Sequence, residues 1–155
     1  MALTTCMVNS AKGDFLAGRN LATDTYKMAL VKSGHAGTYD TLVTAAGTPG
    51  TGAPSTSNLG TDEVSASGSY SAGGFTMAGY AAGATTSTSW IDWTTDPSFT
   101  TATISAVGAM LYNDTDAGKP VIGLFDFGGT ITSTAGTFTI TLPAAAAATA
   151  LIRIG

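Results

Sequence analysis

Residues 103–129 read TISAVGAMLYNDTDAGKPVIGLFDFGG, and this stretch decides the fold. Ile104, Ala106, Gly108, Met110 and Tyr112 share one parity, while Val107, Ala109 and Leu111 share the other. Beyond a polar turn, Val121, Gly123, Phe125 and Phe127 alternate with Ile122, Leu124 and Asp126. Apolar residues on both parities mean that both faces are covered, as in the central strands of a sandwich or barrel. The segment 113–120, NDTDAGKP, holds Asn, Asp, Gly and Pro, which supply turns and stop strands. The stretch predicts a central β-hairpin.

Further strand signals lie on either side of it. TFTITL (137–142) alternates cleanly, with Phe138, Ile140 and Leu142 on one side and threonines on the other, the pattern of a half-exposed antiparallel strand. DTYKMALVK (24–32) sets Tyr26, Met28 and Leu30 against Lys27, Ala29 and Val31. FTMAGY (75–80), ATTSTSWIDW (84–93) and LIRI (151–154) read as strands too, and 38–45 as a short strand or turn. Trp90 and Trp93 have opposite parity, so a regular strand cannot send both into the core. One helix is expected, over 4–18, capped by Thr4 or Thr5, with Val8, Ala11, Phe15 and Leu16 near one face and Gly18 as its stop. A helical turn is expected at 144–150. The reading is an all-β chain, an antiparallel β-sandwich or jelly-roll-like fold. Residues 1–20 form an N-terminal helix or arm, and 21–155 a single domain with a Gly/Pro-rich surface loop at 47–60.

Composition narrows the function classes. Only 10% of the 155 residues are charged, against an ordinary ~25%. Polarity comes instead from 28 Thr and 13 Ser, and 44% hydrophobic content is ample for a core. A surface so poor in charge is prone to associate. The six Lys and Arg are scattered and the net charge is −4, so there is no footprint for nucleic acid or an anionic membrane. Cys6, alone, excludes an intrachain disulfide and a cysteine zinc site. No apolar run approaches ~20 residues and no signal pattern opens the chain, so the expectation is a protein made in a cytoplasm.

Candidate chemistry is sparse. His35 is the only histidine, and no motif gives it an acid and a nucleophile. Asn113, Asp114 and Asp116 lack the spacing and the late Glu of a calcium loop, so they read as a solvated turn. Asp126 has no second carboxylate at a motif spacing; it reads as a strand-end acid taking backbone N–H bonds from Gly128 and Gly129. The glycines of 47–60 are not followed by the Gly-Lys-Ser/Thr of a phosphate loop. The expectation is no enzyme, no cofactor and no metal. The apolar residues Val8, Phe15, Leu16, Trp90 and Trp93 are the candidate interface.

Taken in order, the opening helix, DTYKMALVKS (24–33), TDEVSASGSYSAGG (61–74), WIDWTTDPSFTTATISAVGAMLYND (90–114) and KPVIGLFDFGGTITSTAGTFTITLPAAAAATALIRI (119–154) resemble a family of small structural proteins of tailed bacteriophages. That family's pattern runs strand, NEVSG-GY-AGG, an aromatic-rich strand, ARGALIYN, AV-VLDFGG, S-GTFTI-FPA and a terminal IIRI. The likeness covers most of the chain except 33–60, which is longer here. Val107 stands where the pattern has Arg, and alanines 144–148 replace a more polar turn. The resemblance implies a non-enzymatic virion subunit. Within that class the expectation is a capsid decoration (cement) protein bridging capsomers on the outer shell. Its partners would be the major capsid protein and itself, as a trimer rather than a dimer, with the arm 1–20 or the loop 47–60 reaching neighbours. A head-fibre, tail or receptor-binding subunit is the alternative.

Overall fold

The computed structural model describes residues 2–19 and 22–155. In chain order its elements are β1 (Cys6–Met7), α1 (Asn9–Leu16), β2 (Tyr26–Lys32), a single 3-10 turn (Gly60–Asp62), β3 (Phe75–Thr76), β4 (Tyr80–Ala84), β5 (Ser89–Trp93), β6 (Ser98–Asn113), β7 (Val121–Thr139) and β8 (Ile152–Ile154). They form two antiparallel sheets, of order β1-β7-β6-β2-β3 and β4-β5-β8, so the all-β sandwich-like expectation holds.

The β6–β7 hairpin is the frame, as its sequence predicts. Its proximal half pairs Met110 with Leu124 and Leu111 with Gly123, and β2 flanks it with Met28 opposite Leu111 and Leu30 opposite Ala109. Every residue of β2 except the two lysines at 27 and 32 is buried, which is why apolar side chains occupy both of its parities. The hairpin is longer than its sequence signature. The segment 137–142 is no separate strand: Thr137, Phe138 and Thr139 end β7, and Gly128 and Gly129 lie in a bulge that bends the ladder without ending it. In this distal half β6 turns Phe99, Ala102 and Ile104 inward while its alternate residues face water.

Three local expectations are corrected. The helix is shorter than 4–18: Cys6 and Met7 pair with Leu124 and Gly123 as β1, so the helix begins after Val8, with no side-chain cap. Gly18 does end it. The alternation over 84–93 is not one strand. Thr85 N–H donates to the Thr88 carbonyl (2.8 Å), and the tight turn makes β4 and β5 a hairpin. FTMAGY likewise divides between two sheets, Phe75 and Thr76 joining β2 while Tyr80 opens β4.

Neither expected reaching segment stands off the body. Val8 and Ala11 are buried in the core, and Thr4 N–H and Tyr39 N–H bond to the Tyr39 and Ala2 carbonyls, so residues 2–19 pack on the sandwich; Met1 and Asn20 lie outside the described residues. The loop 47–60 is pinned by Asn58. Its Oδ1 accepts from Thr48 N–H (2.8 Å), and its amide donates to the Thr51 and Ala53 carbonyls. Such a loop is a compact surface element whose ends are held together.

Candidate interaction surface

The five candidate interface residues separate into two sets. Val8 and Trp93 are corrected: both are buried within the chain and present nothing to a partner. Trp93 packs against Tyr26 (ring centroids 5.1 Å apart) and Tyr80 (5.7 Å), where the small sheet meets the large one. The opposite parity of the two tryptophans has the expected consequence. Trp90 lies on the other face of β5, over Gly83, where a Cβ would meet its ring at 2.6 Å.

Phe15, Tyr80, Ile91, Ile152 and Ile154 line a groove of about 260 Å³ between α1 and the small sheet, with Arg19 at its rim. Trp90 borders it from the strand, but its ring lies on the opposite face with Gly83. Leu16, next to Phe15 on the helix, is 91% exposed, and Ile154 is 51% exposed. Large apolar side chains gathered beside an apolar groove mark a contact surface more than the same residues scattered would.

Arg19 is not free to take an anion there. Its guanidinium is shared among Asp14 (3.4 Å), Asp24 (3.6 Å) and Asp116 (3.2 Å). Beside it Asp114 pairs with Lys27 and Lys119, and hydrogen bonds from both ammonium groups hold its carboxyl below the ordinary range despite the opposing effect of burial. The turn 113–120 is thus an ion-pair knot, with Asn113 Oδ1 accepting from the N–H groups of Thr115 and Asp116. Among the described residues, no group of three or more His, Cys, Asp or Glu could hold a metal ion.

His35 and Asp126 line one shallow depression, otherwise bounded by Ala2, Leu3, Gly34, Val107, Gly128 and Gly129. None of those neighbours carries a nucleophilic or titratable side chain. The imidazole Nδ1 is engaged with the Gly37 carbonyl (2.9 Å). Asp126 accepts from Gly128 N–H (2.8 Å) as expected, but it is no strand-end acid, because β7 runs on to Thr139. Val107 places an apolar group in this depression.

Three buried carboxylates, Asp62, Glu63 and Asp92, escape a reading based on catalytic spacing. Glu63 Oε1 accepts from the Tyr70 hydroxyl and from Gly73 N–H (both 2.7 Å), and Tyr70 in turn accepts from Leu30 N–H of β2 (2.9 Å). The Glu, Tyr and Gly-Gly of the 61–74 motif are therefore a latch closing that segment onto β2. Their spacing in TDEVSASGSYSAGG was the available signal. Asp92 accepts from Trp93 N–H (2.8 Å) and Leu151 N–H (3.2 Å), tying the C-terminal strand to β5.

The adjacent acids Asp62 and Glu63 titrate in opposite directions. Burial alone would raise the Asp62 carboxyl, but the N–H groups of Ala36 and Gly37, the Tyr39 hydroxyl and Lys32 hold it below its ordinary value. Burial pushes Glu63 up, against smaller opposing effects of Tyr70, Gly73 and Lys27, and its Oε2 has no hydrogen-bond partner among the described residues. The native state thus binds the Asp62 proton more weakly than the unfolded chain does, so that contribution to stability is lost as pH falls through the lowered value. It binds the Glu63 proton more tightly, so that contribution is lost as pH rises through the raised value. Urea denaturation across pH should show Asp62→Asn with a shallower loss of stability below about pH 4, and Glu63→Gln with a shallower loss above about pH 5. Asp62→Asn should also cost roughly 1–3 kcal/mol at neutral pH, because an amide cannot accept from all of those donors.

Compared with known protein families, curated proteins and solved structures, the chain matches none.

Proposed function

We propose that the chain is a non-enzymatic structural subunit of a tailed-phage virion, a decoration protein bound on the outer capsid surface that stabilises contacts between capsomers. It would be made in the host cytoplasm, with the major capsid protein and other copies of itself as partners. The order of sequence motifs supports this reading, because those motifs supply β2, the Glu63–Tyr70 latch, β5 to β7 and β8. The observation that carries it is the groove of Phe15, Tyr80, Ile91 and Ile154 beside the exposed Leu16, an apolar patch on a charge-poor surface. Each copy seated through such a patch adds binding free energy to the shell, and repetition over the lattice multiplies it.

Undecorated shells mixed with purified protein provide the test. Wild type is expected to bind at hundreds of copies per particle. Leu16→Lys combined with Ile154→Ala should weaken binding roughly 10- to 100-fold, the worth of burying one or two such side chains, without changing the circular dichroism. Equal binding by wild type and variant would overturn the assignment of the groove. Imaging that places a handful of copies at the tail or on fibres would overturn decoration and favour the receptor-binding alternative, for which Tyr80 and Trp90 offer aromatic faces to a sugar.

A further inference from the structure

β7 is an edge strand covered over only part of its length. β1 pairs with it at Gly123 and Leu124, and the Thr5 hydroxyl accepts from Asp126 N–H (2.8 Å). Beyond that point no strand among the described residues pairs with its outer side, although its inner side stays laddered to β6 as far as Thr139. An open edge is a template for another strand, and proteins ordinarily guard one with Lys, Pro, an inward charge or a bulge. In this stretch the ladder is irregular toward its ends and at 134–135, between the Ser133–Ile104 and Gly136–Ala102 pairs. Here no charged residue occurs from Phe127 to Ile152, and the first proline, Pro143, follows the strand. Most of the strand's side chains past Phe127 are exposed, Ile131 among them.

We infer that residues 131–139 of β7 are a self-association surface: the same edge of a second copy pairs with it, antiparallel, about a twofold axis. Two arguments select a second copy as the occupant. An antiparallel strand edge is complementary to itself, which is what a twofold contact requires. Two chains of net charge −4 also repel on average, and this edge lets them meet without facing carboxylates. The kink at Ala135 (φ +46°), whose N–H donates to the Thr103 hydroxyl, marks the centre. With the axis there, 131–134 of one copy run beside 136–139 of the other, and β1 remains clear of both. The inference rests only on the self-association within the proposed role, and it points to a dimer where the family resemblance favoured a trimer.

Sedimentation of the purified full chain tests it. Wild type is expected to be a dimer. Thr132→Lys with Thr137→Lys, one exposed position on each flank, should raise the dissociation constant roughly 10- to 100-fold, with unchanged circular dichroism. Leu16→Lys should leave the dimer intact. Single cysteines placed in turn at 133–137 in a Cys6→Ser background should form the intermolecular disulfide most readily near 135, a readout that survives if the lysine variant does not fold. A monomeric or trimeric wild type, a dimer unaffected by the two lysines, or crosslinking with no maximum near 135 would each overturn the pairing. Failure here leaves capsid binding standing, and failure of capsid binding leaves the dimer standing.

Discussion

Trp93→Ala is expected to lower the unfolding free energy by about 3–5 kcal/mol, the range for deleting a large aromatic side chain from a packed core. The indole is 2% exposed, and it touches Tyr26 of the large sheet and Tyr80 of the small one. The loss should appear in urea denaturation followed by circular dichroism, as a lower midpoint with little change in slope. Trp90→Ala is the internal control. Its ring lies half-buried over Gly83 on the other face, so a much smaller cost is expected there. Equal costs at the two positions would mean that the sheets are not held together through Trp93.

Gly74→Ala should be as damaging, for a different reason. Gly74 has φ +79°, and a Cβ there would fall on the Met28 carbonyl oxygen and lie 2.6 Å from Ala29 Cα. Both atoms belong to the backbone of β2, which is buried and laddered to β6, so neither can swing aside. Left-handed strain of about 1 kcal/mol combines with a steric cost of ~1–3 kcal/mol or more from overpacking. The expected total is about 2–4 kcal/mol or more, read as a lower urea midpoint or as loss of soluble protein. Gly128→Ala separates the two costs. Its φ is +75° but nothing lies within 4 Å of the added carbon, so strain of about 1 kcal/mol should be all that appears. If both alanines cost the same, close approach to β2 is not what requires glycine at 74.

The frame of the fold was legible because its residues bury both faces. Nothing but a central hairpin suits apolar side chains on both parities of 104–112 and 121–127, and that hairpin is present. Segments whose polarity says little about burial were misread. The hydroxyl-rich 85–89 alternates like a strand, yet 85–88 is a turn, because Thr and Ser suit either setting. Val8 looked like part of a helical face, but it is buried at the junction between β1 and α1. For the candidate surface, parity correctly separated Trp90 from Trp93, whereas the meeting of Phe15 with the small sheet depends on long-range packing that no local pattern encodes. The Glu63–Tyr70–Gly73 latch stood in the motif all along. Its chemistry is structural, so a search for catalytic spacings passes over it.

The length of β6 and β7, 16 and 19 residues, has a mechanical consequence. At a rise of ~3.3 Å per residue the hairpin is a beam about 50 Å long. Its cross-links lie perpendicular to its axis, so a pull along that axis loads many of them together instead of peeling them one by one. A chain gripped near opposite ends would carry tension through this beam and spare its loops.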